Sequence, residues 1–135
     1  MKNLLLIFLF TGLVSTSMQA QDSTTLDPMT TVEFETSTID YGKVEKGSDG
    51  VRTFTFKNTG ENPLKIYKIY SSCSCDILSK PEEPIAQGMT GEIVVKYDTK
   101  KVGPIVKTIT AYANIEKKLI PLRLKGEVLP AKEEE

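Results

Sequence analysis

Val51-Arg52-Thr53-Phe54-Thr55-Phe56-Lys57-Asn58 decides the fold, with Phe54 and Phe56 on one face and Thr53 and Thr55 on the other. Side chains that alternate apolar and polar at period two belong to a half-buried β-strand. Asn58-Thr59-Gly60-Glu61-Asn62-Pro63 follows at once, dense in turn formers. It is expected to close a hairpin onto Leu64-Lys65-Ile66-Tyr67-Lys68-Ile69. Leu64 and Ile66 point inward, whereas Ile69 is out of phase with them, which predicts a twist or bulge near Lys68.

The same grammar extends in both directions. Upstream, Val32-Glu33-Phe34-Glu35 alternates, Ile39 to Val44 resumes after a break with a bulge expected at Gly42, and Gly47-Ser48-Asp49-Gly50 is a turn. Downstream, residues 80–88 hold two prolines and read as a loop. Glu92 to Asp98 sets Ile93, Val95 and Tyr97 on one face. Gly103-Pro104 leads into a run where Ile105, Ile109 and Ala111 alternate with Val106, Thr108 and Tyr112. The last run places Ile120, Leu122, Leu124 and Val128 on one side, Arg123 and Lys125 on the other. Pro121 within it cannot donate a ladder hydrogen bond, so its amide side is expected at an edge or bulge. No run has helical period and no repeat is present. The chain therefore reads as all-β, an immunoglobulin-like antiparallel β-sandwich of about seven strands.

The first residues have a different layout. Lys2, the apolar run Leu4 to Phe10 and a polar stretch ending at Ala20 form a secretory signal peptide over residues 1–20, with cleavage after Ala20. That apolar run is shorter than the roughly 20 residues of a membrane span, and no second one follows. The expected organisation is a signal peptide (1–20), a flexible leader (21–31), the immunoglobulin-like domain (32–129) and an acidic tail (130–135). The protein is expected to be exported, periplasmic or secreted, with no membrane span in its mature form.

Composition removes several functions. Lys and Arg number 17 against 18 Asp and Glu, which argues against a nucleic-acid partner. The absence of histidine rules out Ser-His-Asp and Cys-His catalysis and imidazole-bound zinc. Two cysteines cannot supply a four-thiolate zinc site within one chain. The carboxylates Asp40, Glu92, Asp98 and Glu116 show no spacing that singles out a glycosidase pair. No enzyme activity and no cofactor are expected.

Several elements together carry a family resemblance. They are Asp40-Tyr41-Gly42-x-Val44, Phe54-x-Phe56-x-Asn58-Thr59-Gly60-x-x-Pro63-Leu64-x-Ile66 and Ser71-Ser72-Cys73-x-Cys75. After these come Pro84-Ile85-x-x-Gly88-x-x-Gly91-x-Ile93-x-Val95-x-Tyr97-Asp98, Lys107-Thr108-Ile109 and Leu122-x-Leu124-x-Gly126-x-Val128. The pattern, from Val32 to Val128, resembles the bacterial domain-of-unknown-function family 1573 of exported proteins in Bacteroidetes-like bacteria. The resemblance implies a sandwich akin to Hydin-type and major-sperm-protein-like modules, and it implies no activity. Where that family has Gly between the cysteines and Thr after them, this chain has Ser74 and Asp76. Ser turns less readily than Gly, and the carboxylate of Asp76 disfavours a neighbouring thiolate.

Cys73 and Cys75 are the candidate site, a thiol pair with three readings. On one extended strand they would face the same way about 6.6 Å apart, so a disulfide between them needs a turn or bulge. Such a bond would be labile and redox-active. Two thiolates could instead hold copper(I), with Met89 as a thioether ligand. The preferred reading makes both small apolar residues at the core boundary, between Ile69 and Ile77-Leu78. Tyr67, Tyr70 and Tyr112 are candidate partner contacts, and the outward lysines Lys65, Lys68, Lys96, Lys107 and Lys125 guard faces and edges. The expected function is an exported, non-enzymatic module for protein interaction or envelope structure, with addition of a strand to an exposed edge as one route. A thiol module using Cys73 and Cys75 for redox exchange or copper(I) binding is the alternative.

Overall fold

A computed structural model describes residues 26–72 and 75–133. The expected signal peptide, residues 21–25 of the expected leader, Cys73, Ser74, Glu134 and Glu135 lie outside the described residues. Eight strands follow in order: β1 (Val32–Phe34), β2 (Thr38–Glu45), β3 (Val51–Asn58), β4 (Ile66–Ser71), β5 (Cys75–Ser79), β6 (Thr90–Tyr97), β7 (Gly103–Ala113) and β8 (Leu119–Leu129). They form two four-stranded sheets, ordered β1-β3-β6-β5 and β2-β8-β7-β4. Among the described residues no helix is long and apolar enough to cross a membrane.

The alternation of β3 fills the space between the sheets, where Phe54 and Phe56 meet Ile93 and Val95 of β6 and Ile105, Ile109, Leu122 and Leu124 of β7 and β8 in one core. Full burial of side chains of this size contributes about 1.5–3 kcal/mol each. Two phase breaks fall where the sequence puts them. The register of β2 on β8 shifts between Asp40 and Lys43, around Gly42 with φ +65°. That of β4 on β7 shifts between Ile66 and Lys68. Pro121 lies in β8 before β2 begins to pair. The Arg123 amide, two residues on, donates to the Ser37 carbonyl on the β2 side, so the proline nitrogen faces that side beyond the end of β2.

Four expectations are corrected. The described residues form eight strands, because the segment Cys75–Ser79 pairs with β6 across a register break between Ile77 and Ser79 that erases its alternation. The sandwich is mixed, since β2 runs parallel to β8. No hairpin joins β3 to β4; the seven-residue link, 59–65, crosses from one sheet to the other, and Leu64 bridges Ile85 instead. Lys107 shares the inward parity of Ile105 and Ile109 and is half-buried, not an outward lysine.

The described part of the leader also differs from a flexible segment. Thr30 forms a parallel bridge to Ile115, and its hydroxyl donates to Asn58 Oδ1 at 2.8 Å. Asn114 Nδ2 donates to the Pro28 and Pro63 carbonyls at 2.9 and 2.8 Å, while its Oδ1 accepts from the Lys65 amide. Two buried asparagines thus fasten residues 28–30 across the end of the sandwich.

Candidate functional site

The cysteine segment is where the chain leaves one sheet for the other. β4 ends at Ser71, and the Ser72 hydroxyl donates to the Thr108 carbonyl at 2.8 Å. β5 opens at Cys75, opposite Tyr97. Cys75 is 8% exposed and belongs to the core cluster, yet it is disulfide-bonded rather than a free thiol. The sequence offers one other cysteine, Cys73, which is outside the described residues. Met89 precedes β6 and Cys75 faces its last residue, which puts the thioether roughly 25 Å away at 3.3 Å per residue. It is no ligand for a metal held at Cys75. Among the described residues no cluster of three His, Cys, Asp or Glu could hold a metal ion.

Asp40, Glu92, Asp98 and Glu116 stay apart. Asp40 accepts from the Gly42 amide on β2 and Asp98 from the Lys100 amide after β6. Glu92 is exposed within β6, and Glu116 sits in the β7–β8 turn.

The tyrosines, by contrast, come together. Register aligns Lys68, Tyr112 and Leu119 in one row across β4, β7 and β8, and Tyr70, Thr110 and Pro121 in the next. The bulge turns Tyr67 onto Tyr112, with ring centroids 5.4 Å apart, and Lys68 Nζ lies 4.7 Å from the Tyr70 centroid. Tyr67, Tyr70 and Leu119 are 42, 52 and 50% exposed. The solvent face of an antiparallel sheet is ordinarily polar; this end of it is aromatic and apolar. Leu119 and Pro121 could not be assigned to the patch from sequence, because their place depends on the β7–β8 register. Behind the patch, β4 and β5 are the edge strands of the two sheets. A groove of about 300 Å³ between them is lined by Tyr67, Ile69, Ile77 and Leu78, with Lys80 and Glu82 at its margin.

Asp27 of the leader closes one corner of the patch, bonded to Lys65 Nζ and accepting from the Tyr67 hydroxyl at 2.6 Å. The hydrogen bonds from Lys65 and Tyr67 hold the Asp27 carboxyl below its ordinary value. Desolvation first, then the Asp27 carboxylate, pushes the Tyr67 phenol up to about 12. The sign follows for each group. The depressed carboxyl stabilises the fold above about pH 4 and loses that contribution as pH falls through its lowered value. The raised phenol contributes fully below about pH 10 and loses its contribution as pH climbs toward 12. Asp27→Asn is expected to move the Tyr67 midpoint down toward 10 without fully reaching it, since burial remains. Titration of the tyrosine ring carbons by NMR checks this; an unmoved midpoint would mean that Asp27 does not hold the phenol.

The family profile described as "Protein of unknown function (DUF1573)" matches residues 32–128. The chain belongs to the DUF1573 family. No curated protein sequence matches it. Among solved structures, this DUF1573 domain is similar to a protein of unknown function from Porphyromonas gingivalis W83, with TM-score 0.65 and 16% identity over 80% of this chain and 51% of that one. It is similar to the human CEP192 ASH/PapD-like domain 7, with TM-score 0.59 and 14% identity over 87% of this chain and 98% of that one. The Vibrio cholerae VesB protease matches at TM-score 0.60 and 13% identity, over 71% of this chain and 31% of that one. The DUF1573 chain thus spans about half the length of the Porphyromonas protein and under a third of the protease. At these identities the likeness is one of fold, an immunoglobulin-like, PapD-like sandwich.

Proposed function

We propose that this protein is an exported, non-enzymatic interaction module of the bacterial cell envelope, periplasmic or secreted after cleavage following Ala20, whose partner is a protein. The reading is carried by the exposed Tyr67, Tyr70, Leu119 and Pro121 on the outer face beside β4. Tyrosine is enriched in the few residues that dominate binding energy at interfaces, and a contiguous patch of this kind marks a contact surface. Like folds in proteins of unrelated description support a scaffold role rather than a shared chemistry. Export is supported by the layout of residues 1–20, and the intact mass of protein from its native compartment is expected to begin at Gln21.

Sedimentation of a native envelope extract tests the module. The wild-type protein is expected to travel in a complex, and a folded Tyr70→Ser/Leu119→Ser variant as the free domain. A complex indifferent to both substitutions, or a wild-type protein travelling free, would refute the reading.

A second reading is favoured by one observation, the disulfide at Cys75. As a thiol module, the protein would take two electrons from a partner's dithiol, which is oxidised to a disulfide as the Cys73 and Cys75 sulfurs are reduced to thiols. Cys73→Ser with Cys75→Ser separates the two: the complex survives if the module acts by surface recognition, and activity disappears if it acts by exchange.

A further inference from the structure

We infer that the β4 edge binds an extended segment of a partner protein as an added strand, and that this segment alternates carboxylate with apolar side chains. The inference rests on the interaction-module reading and gives its partner a chemistry.

The four sheet edges are not equivalent. Short length, bulges and charge are the means by which edges are kept from pairing. β1 is three residues long. β2 is broken at Gly42, with three paired residues on either side. β5 keeps three consecutive paired residues, including Asp76, before its break. β4 holds four consecutive residues, Lys68 to Ser71, in unbroken antiparallel register. It contains no proline and one charge.

A strand added there would send alternate side chains to opposite faces. On the outer face they would lie beside Lys68 and Tyr70. Neither row through these residues contains a carboxylate, nor does the next, Thr108–Arg123–Thr38. The acids of this face, Asp40, Glu45 and Glu127, pair with β8 and β2 positions toward the opposite end, and Asp27 is engaged by Lys65 and Tyr67. Lys68 therefore favours an acidic side chain opposite it, since unlike charges across strands attract. On the other face the added side chains would enter the groove beside Ile69, Ile77 and Leu78, which calls for apolar residues. Lys80 and Glu82 at its margin satisfy each other at 3.3 Å.

The acidic tail does not fill this edge from within the chain. Val128 pairs with Gly103, whereas Lys68 pairs with Tyr112 at the other end of β7, roughly 30 Å away along the strand. Residues 130–135 span at most about 21 Å.

The test uses ¹⁵N-labelled protein lacking only residues 1–20, a ten-residue peptide alternating glutamate with valine or isoleucine, and its twin with lysine for glutamate. The acidic peptide is expected to shift and protect amides in residues 68–71, with 77–79 following. Lys68→Glu is expected to weaken it about tenfold and to reverse the preference between the twins. Equal binding of the twins, shifts at β1 or β2 in place of β4, or no shifts with either peptide would overturn the inference. A native complex lost on Tyr70→Ser but untouched by Lys68→Glu and by excess peptide would overturn strand addition alone and leave the module standing.

Discussion

Asn58→Ala is expected to lower the stability of the domain by about 4 kcal/mol, with a melting temperature roughly 20 °C below wild type. Asn58 is fully buried at the end of β3. Its Oδ1 accepts from the Thr30 hydroxyl and the Gly60 amide, and its Nδ2 donates to the Asn62 and Ile85 carbonyls at 2.8 Å each. Alanine supplies neither donor nor acceptor, so four groups lose a partner where water has little access, at about 1–3 kcal/mol for each one left unsatisfied. Those near the loop surface recover part of that from solvent. Against a total of about 5–15 kcal/mol for a native domain, the loss is large. Thr30→Val removes one of the four bonds and is expected to cost about 1 kcal/mol. Urea unfolding of both variants, followed by circular dichroism, gives the comparison. Asn58→Ala losing no more than Thr30→Val would mean the leader, not the asparagine, organises this end.

What was legible follows from what side-chain pattern encodes. The pattern says which face is buried, so Phe54, Phe56, Ile93 and Leu122 were assigned to the core correctly, and the phase breaks at Gly42 and near Lys68 announced their bulges. It does not say which strand lies alongside. The parallel pairing of β2 with β8 and the crossing from β3 to β4 both contradict the nearest-neighbour assumption for that reason. β5 was missed because Cys75 and Ile77 are its only inward positions and a register break follows. Asn58 read as a turn former, and it does begin a turn. Nothing in the letters shows that its amide also ties the turn, the leader and the 80–88 loop into one network. The tyrosines were visible as candidates, but the patch exists only because β7 and β8 bring Tyr112, Leu119 and Pro121 into the rows that Lys68 and Tyr70 begin.

Gly50→Ala is expected to cost about 3 kcal/mol, although the substitution is small and its backbone needs no positive φ. A Cβ on Gly50 would fall on the Tyr97 carbonyl oxygen, 3.0 Å from the Tyr97 carbonyl carbon and 3.3 Å from Thr99 Cγ2. The first two are main-chain atoms of β6 and cannot rotate away, so the start of β3 must move off β6. The Gly50 carbonyl moves with it, and that carbonyl accepts from the Tyr97 amide at 3.0 Å and the Tyr41 hydroxyl at 2.7 Å. Gly42→Ala isolates the other way a glycine can matter: nothing lies within 4 Å of its Cβ, but φ is +65°, and about 1 kcal/mol is expected from the left-handed backbone. Chemical denaturation of the two variants should therefore rank the crowded site above the conformational one; the reverse order would place the cost in backbone preference and leave the β3–β6 contact unimportant. A second readout is local. Burial holds the Tyr41 phenol above its ordinary value, and a corner opened by Gly50→Ala should let it fall back toward 10. Tyr97 pairs with Cys75 on its other side, so the same displacement should also speed reduction and alkylation of Cys75, linking the packing of this corner to the chemistry of the cysteine that β5 begins with.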